Sequence, residues 1–361
     1  MSSKTLLLSL LLITVSHLLS GAGATSFSCS GDNRCHSLIG YIPQKPTTIA
    51  ALQSLFQINP RRSLLTANSL PISTPPSFSL PSHSPIRIPI PCLCSNATGL
   101  SNRRPIYTIR PRDNLDAIAR RIFNGFVTIR EIADANNISD PDRIDVGRRL
   151  WIPLPCSCDE VEGKPVVHYG HVAAEGSDLE RIAEEFGTTE RVLMRVNGIQ
   201  DPTSLHAGQI LDIPLPACSS SIKTDAIDSR LLLPNGSYTL TANNCILCSC
   251  SSSTWQLDCH ATQGMSKSTC PVTKCGNLLI GNTSNTSCGV SSCSYAGYII
   301  NNNANNFTIL TNLTTPTTCN NGSSPVSQPS GSSKRIGFQK CIWMEVLVMF
   351  FWFLFPMRMI G

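Results

Sequence analysis

Two cysteines and two histidines stand at metal-ligand spacing, Cys156-x-Cys158 and His168-x-x-His171. Two thiolates and two imidazoles would suit a tetrahedral zinc ion. Carboxylates cluster at Asp159-Glu160-x-Glu162 and at Glu184-Glu185. Paired carboxylates cleave glycosidic bonds when a shaped cleft keeps one protonated and the other ionised. The chain holds 17 cysteines, and a cysteine-dense secreted chain oxidises its thiols rather than loading metal. The carboxylates lie in polar stretches that read as a solvated linker and an outer helix face. There is no Gly-rich phosphate loop, no Gly-x-Ser-x-Gly and no kinase signature. A net charge of +5 over 361 residues, with no basic run interleaved with aromatics, excludes a nucleic-acid partner. The expectation is a binding protein with no catalytic residue, no metal and no cofactor.

The elements that position a binding surface are marked by a recurring phrase. Ile88-Pro89-Ile90-Pro91-Cys92-Leu93-Cys94, Ile152-Pro153-Leu154-Pro155-Cys156-Ser157-Cys158 and Ile213-Pro214-Leu215-Pro216-Ala217-Cys218 place Cys92, Cys156 and Cys218 at intervals of 64 and 62 residues. Near-fixed recurrence marks a repeated structural unit. In the middle copy, Tyr107-Thr108-Ile109 alternates as a strand. Leu115, Ile118, Ala119, Ile122 and Phe123 then follow helical spacing. Asp113 is the expected N-cap of that helix, with Asp116 in a capping-box position. Thr128 and Glu131 form a second box and open a second helix. Asp140-Pro141 turns the chain, and Leu150 to Pro153 closes the unit.

The third copy repeats the pattern. Val172-Ala173-Ala174 is the strand, and Ser177 to Glu180 is the expected capping box. Leu179, Ile182, Ala183 and Phe186 form the helical face. In a β-α-α-β unit whose strands pair, the loop after the first strand lies beside the loop before the last, leaving a shallow groove. In the middle unit the walls are Arg110, Pro111, Arg112, Asp113 and Asn114 on one side and Ile138, Ser139, Asp140, Pro141 and Ile144 on the other. In the third they include Glu175, Gly176, Ser177, Ile199 and Leu205.

The rest of the chain divides by composition. Residues 1–24 read as a signal peptide, with an apolar run and Ala22-Gly23-Ala24 at its end. Residues 25–94 hold a degenerate first unit, 107–153 the middle one and 168–215 the third. Residues 218–298 are cysteine-rich and too poor in apolar residues to fold without disulfides. A hairpin is expected there around Pro234-Asn235-Gly236. Residues 299–330, rich in Asn, Ser and Thr, read as a disordered glycosylated stalk. Ser330 is the expected attachment residue, and residues 331–361 follow it with small residues, a polar spacer and an apolar run, the order of a GPI-attachment signal that is removed. Setting aside Cys341 in that tail leaves 16 cysteines, an even number. Eight sequons occur, at Asn96, Asn137, Asn235, Asn282, Asn285, Asn306, Asn312 and Asn321.

The Asn-x-x-x-Asp-Pro turn, the Leu-x-x-Ile-Ala helix and the Gly-x-x-Leu-x-Ile-Pro ending resemble the LysM module. The Cys-x-Cys spacers, with Phe126-Val127-Thr128, Ala135-Asn136-Asn137-Ile138 and Cys245-Ile246-Leu247-Cys248-Ser249-Cys250, are similar to plant LysM proteins of the GPI-anchored, chitin elicitor-binding group. The resemblance implies an α+β fold of three tandem β-α-α-β modules tied by disulfides, followed by a small cysteine-rich β domain. It implies the bridges Cys29–Cys94, Cys35–Cys158 and Cys92–Cys156. It also implies chitin oligosaccharides as ligand, a LysM receptor-like kinase as signalling partner, a homodimer formed across one oligomer, and the outer face of the plasma membrane as location. Such a ligand is uncharged, so the groove loops would meet it through backbone hydrogen bonds and apolar contacts to acetyl methyls. Peptidoglycan, which also presents N-acetylglucosamine, is the alternative ligand. A LysM-targeted glycan hydrolase is a second alternative, and it lacks a catalytic region.

Overall fold

The computed structural model describes residues 27–315 except 32, 263–269, 272, 287–288 and 304–305. The signal segment 1–24, Cys288, Asn321, Ser330 and the segment 331–361 lie outside the described residues. Among the described residues no helix is long and apolar enough to cross a membrane.

Strand, helix, helix, strand recurs three times. After β1 (Phe27–Ser28), the first unit runs β2 (Arg34–Tyr41), β3 (Thr47–Thr48), α1 (Ile49–Phe56), α2 (Arg61–Ala67), β4 (Ser79–Leu80) and β5 (Ile86–Ser95), which turns into β6 (Thr98–Ser101). The middle unit runs β7 (Ile106–Thr108), a π-helical segment (Ala117–Ile122), α3 (Ile129–Ala135) and β8 (Arg149–Trp151). The third runs β9 (Val166–Val172), α4 (Leu179–Phe186), α5 (Glu190–Val196) and β10 (Ile210–Cys218). Apart from α2, which follows Pro60 without a side-chain cap bond, the helix starts follow side-chain oxygen caps, which satisfy otherwise unpaired amides. Thr48 caps α1, Thr189 caps α5, and Thr128 with Glu131 forms the expected capping box of α3.

Two caps differ from expectation. Asn114, not Asp113, supplies the capping bond of the middle unit's first helix, its Oδ1 accepting from the Ala117 amide at 2.7 Å. The Asp113 carboxylate is already taken, accepting from the Tyr107 hydroxyl and the Arg110 amide, each at 2.7 Å. In the third unit Asp178 caps the Arg181 amide at 2.8 Å, displacing the Ser177–Glu180 box. The first helix of the middle unit also widens to π geometry, with the Phe123 amide bonded to the Ile118 carbonyl. That widening buries Phe123 fully and leaves Ile122 half-buried. Phe123 meets Tyr107 edge-on at 6.0 Å and Phe56 of the first unit at 5.9 Å.

The first and third units share one sheet. β2 pairs antiparallel with β5 and parallel with β9, through Leu38↔Tyr169 and Ile39↔Gly170. β7 and β8 form a separate pair. The three expected bridges Cys29–Cys94, Cys35–Cys158 and Cys92–Cys156 are present. They close the first unit and clamp the spacer after the middle one. Among the described residues no bridge enters 159–217, so the third unit is fastened by β-pairing, not by disulfide. One core runs through the first and middle units, while the third packs its own around Leu179, Ile182 and Leu193 with Leu38 of the first.

Beyond Cys218 come β11 (Leu233–Pro234), β12 (Tyr238–Thr241), β13 (Ile246–Cys250), β14 (Leu257–Ala261), β15 (Lys274–Cys275), β16 (Leu278–Leu279), β17 (Thr283–Thr286), β18 (Gly289–Asn303) and β19 (Asn306–Thr314). Bridges Cys218–Cys250, Cys245–Cys270, Cys248–Cys259 and Cys275–Cys293 hold them. Two expectations fail here. Pro234-Asn235-Gly236 is a turn but not a hairpin, because β11 pairs with β10 and β12 with β13. The stalk does not begin at 299: β18 and β19 pair through Ile300↔Phe307 and Cys293↔Leu313, burying Phe307 and Ile309. Alternating Phe307 and Ile309 gave a strand signal that the surrounding asparagines masked.

Candidate functional site

Each unit's closing strand is held by one asparagine at the end of its second helix. Asn136 Nδ2 donates to the Ile132 and Trp151 carbonyls at 2.8 Å each, and its Oδ1 accepts from the Trp151 amide at 2.8 Å. Asn197 makes the same three bonds to Leu193 and Asp212, at 2.7–2.9 Å. Asn68 repeats them with Leu64 and Arg87, at 2.8–2.9 Å. The loop that leads from this clamp to the closing strand is the second groove wall. Its base is thereby fixed to both a helix and a strand.

The three units differ in what lies between their walls. In the middle unit the walls join only at their root, where the Ile109 amide donates to Arg148 at 3.0 Å and the Gly147 amide to Ile109 at 2.9 Å. The third unit repeats this with Ala173, Gln209 and Gly208. Beyond those bonds no backbone hydrogen bond joins the two walls of either unit among the described residues. In the first unit they are zipped together instead. Thr47 and Thr48 pair with Leu80 and Ser79, and the Ile49 and Ala50 amides donate to the Phe78 and Pro76 carbonyls. The first unit's walls are therefore bonded to each other through their backbone, whereas those of the middle and third units share no such bond among the described residues.

In the middle groove, Arg110, Pro111, Arg112, Asn114, Ser139, Asp140 and Pro141 are exposed, Asp113 and Ile144 are half-buried and Ile138 is buried. Ile138 is core. Ile144 packs against the core while keeping part of its surface open, as Leu205 does in the third unit. The Arg110 guanidinium lies 5.9 Å from the Tyr107 ring centroid. Burial and the Asp113 hydrogen bond push the Tyr107 hydroxyl up to about 12, so it stays a donor to Asp113. Arg112 adopts φ +72°, a left-handed conformation that Gly176 supplies at the matching place in the third unit. Asp140 accepts from the Asp142 amide and lies 3.7 Å from Arg143. In the third groove Glu175 and Gly176 are exposed, Ser177 half-buried and Ile199 buried. Asp201 is held below the usual carboxylate range by its bonds from the Thr203 hydroxyl and amide.

The reactive candidates of the sequence are dispersed. Cys156 and Cys158 are bridged to Cys92 and Cys35. The four sulfurs of Cys29, Cys92, Cys94 and Cys158 lie within 4.8 Å of one another, but each belongs to a disulfide. His168 Nδ1 faces the Asp212 carboxylate at 2.8 Å and its Nε2 faces the Asp159 carbonyl at 2.8 Å. His171 packs on Phe186. The Asp159 carboxylate accepts from the Ser30 amide and hydroxyl, and Glu162 pairs with Arg191 and Arg195. These groups perform structural tasks. The asparagine clamp is the feature the sequence reading missed; Asn68, Asn136 and Asn197 each stand just after a helix and before the repeated phrase.

Comparison with known proteins follows this geometry. A LysM domain model matches residues 107–153 and 171–214. The chain is 45% identical over 312 residues to the chitin elicitor-binding protein of Oryza sativa subsp. japonica, covering 85% of this chain and 86% of the relative. It is 42% identical over 320 residues to LysM domain-containing GPI-anchored protein 2 of Arabidopsis thaliana, covering 87% and 88%. It is also 25% identical over 201 residues to chitin elicitor receptor kinase 1 of Physcomitrium patens, covering 54% of this chain and 29% of that one.

Proposed function

This chain belongs to the family of LysM domain-containing GPI-anchored proteins, and from that premise we propose that it is a cell-surface receptor or co-receptor for chitin oligomers. The observation that carries the proposal is that the loop walls of the middle and third units are left unbonded to each other among the described residues, while those of the first unit are closed by its own backbone. An N-acetylglucosamine chain is neutral, so it offers amide and hydroxyl groups and apolar methyls but no charge. The middle loops have the matching parts: exposed residues in both walls and a half-buried branched residue, Ile144, just after the Asp140-Pro141 turn. Pocket polar groups orient a ligand, while apolar contact supplies most of the affinity.

In this reading 25–94 is a LysM module converted to a structural role, since it keeps the asparagine clamp and lacks an open groove. Residues 107–153 are the principal binding module and 168–215 a secondary one, with Arg110 to Asn114 and Ile138 to Ile144 as the contact loops. The cysteine-rich domain is a platform. It packs on the first unit, the Tyr238 hydroxyl donating to the Leu70 carbonyl at 2.6 Å. The protein is not an enzyme. It acts in innate immunity on the outer face of the plasma membrane, under a GPI anchor, through a LysM receptor-like kinase, with two copies meeting on one oligomer.

Pull-down on chitin beads against insoluble peptidoglycan, with soluble oligomer as competitor, tests the ligand. Retention on peptidoglycan alone would favour that glycan. Release from intact cells by phosphatidylinositol-specific phospholipase C tests the anchor, and retention after demonstrated enzyme activity would reject it.

A further inference from the structure

We propose that Asn137 carries an N-glycan whose root sugars compete in cis for the middle groove, so that occupancy of this sequon sets the affinity for soluble oligomer. The inference rests on the chitin reading above and deepens it.

The position is defined by its two neighbours. Asn136 spends both ends of its amide on the clamp, whereas Asn137 is exposed and its side chain takes no hydrogen bond among the described residues. Asn137 has φ +51°, two residues past the end of α3, and Gly198 holds the same place after α5 with φ +63°. Glycine or asparagine is favoured at such a helix end, so conformation alone accounts for the residue type. It does not account for the hydroxyl two residues on. Asn137-Ile138-Ser139 is an acceptor sequence, and the third unit has Gly198-Ile199-Gln200 instead. Ser139 is exposed as well, so the acceptor tripeptide presents both of its required side chains.

The chemistry of the modification matters more than its bulk. An N-glycan begins with two β-1,4-linked N-acetylglucosamines, the same disaccharide unit as chitin. At Asn137 they are rooted at the base of the Ile138–Ile144 wall, and the clamp beneath prevents that base from moving away. A tethered ligand of short reach acts at an effective concentration in the millimolar range. A groove of modest affinity per sugar is then partly filled by its own glycan. The other described sequons, Asn96, Asn235, Asn282, Asn285, Asn306 and Asn312, lie outside the groove loops. The third groove has no acceptor and stays free.

The full chain, released from plant cells by phospholipase, is mapped by glycopeptide mass spectrometry. The N-acetylglucosamine hexamer is then titrated into wild type, Ser139→Ala and Asn137→Gly. Asn137→Gly keeps the left-handed conformation, so thermal melting controls for folding in both variants. The expected result is a glycan on Asn137 and a gain of about threefold or more in affinity for both variants at unchanged melting temperature. An unmodified Asn137, or an occupied Asn137 whose loss leaves affinity unchanged, overturns the proposal. If the variants and wild type alike fail to bind the hexamer, the chitin reading falls and the competition with it, while the mass spectrum still reports the modification.

Discussion

Gln57 pairs with Ile106 as a strand would. Its Oε1 accepts from the Ile106 amide at 3.0 Å and its Nε2 donates to the Ile106 carbonyl at 3.4 Å. Gln57 ends α1 of the first unit in a left-handed conformation, with φ +52°, and Ile106 opens β7 of the middle unit. A side-chain amide thus covers the outer edge of a strand that carries the groove. Phe56 on Phe123 and the Asn124 amide on the Ile42 carbonyl complete the joint.

Gln57→Ala should therefore loosen the joint between units without touching either groove loop. Removing one partner of a partly buried bonded pair costs roughly 1–3 kcal/mol. Denaturant melts should register a loss of that size, while hexamer affinity at low temperature stays within about twofold of wild type. An unchanged melt would show that the pairing contributes nothing to the joint.

The asparagine clamp invites a sharper substitution. Asn136→Asp keeps the acceptor for the Trp151 amide but turns a carboxylate toward the Ile132 and Trp151 carbonyls. Two donated bonds are lost and like partial charges are opposed. Asn136→Asp should be at least as destabilising as Asn136→Ala at neutral pH, and should recover part of the loss in acid, where the carboxyl can donate again. Equal melts for the two variants at both pH values would show that neither the retained acceptor nor the opposed charge matters, and would remove the electrostatic argument. Asn68→Ala should behave as Asn136→Ala does if the first unit is a true copy.

How much of this was legible depended on sequence distance. The Ile-Pro phrases and the Thr128 box with Glu131 are local signals, and they led to β8 and α3 directly. The caps at Asn114 and Asp178 were missed because adjacent residues, Asp113 beside Asn114 and Ser177 beside Asp178, both offer a capping oxygen; in the middle unit Tyr107 engages Asp113 and leaves the cap to Asn114. The parallel pairing of Leu38 with Tyr169 joins strands more than a hundred residues apart in sequence, and no local pattern reports it. The closed first groove was equally hidden. Its Ser- and Pro-rich loop reads as open chain, and only Ser79 and Leu80 meeting Thr48 and Thr47 reveal the seal. The turns in the second loops of the middle and third units were legible because their Asp-Pro pairs repeat.

The buried pair of His168 and Asp212 gives the fold a pH dependence. Burial pulls the imidazole down, but the Asp212 charge and hydrogen bond and the Asp159 carbonyl more than reverse it, so His168 titrates above its ordinary 6.5. Both ring nitrogens face acceptors, which requires the doubly protonated ring. A raised folded value means the contribution is complete below about 6.5 and is lost as pH rises through the folded value. Stability of the wild type should fall across that alkaline window, and His168→Gln should flatten the profile while lowering stability at acid pH. The Asp159 charge also raises His168; the Ser37 hydroxyl, bonded to the His168 carbonyl, and the Asn197 amide on the Asp212 backbone face the pair as well, and neither of those two titrates. A pH profile identical in wild type and variant would remove His168 from the account.

Ile144 and Leu205 offer the most direct test of which groove binds. Each follows the Asp-Pro turn of its unit, and each is half-buried against its core. In the proposed complex the open part of Ile144 is the branched apolar surface that meets an acetyl methyl or a sugar face. Full burial of such a side chain is worth on the order of 1.5–3 kcal/mol, and a partly buried one yields less on each side, core and ligand. Ile144→Ser should therefore show two effects. Hexamer affinity should fall about tenfold or more. Stability should also fall, by roughly 1 kcal/mol, because the core contact is lost too. The second effect is controlled by Leu205→Ser, which removes an equivalent core contact from the third unit. If Leu205→Ser costs similar stability and leaves affinity nearly intact, the middle groove carries binding. If it abolishes binding while Ile144→Ser spares it, the site moves to the third unit, whose groove bears no acceptor sequon. Loss of stability alone in both variants would mark the two residues as core and return the ligand contacts to the backbone of the loops.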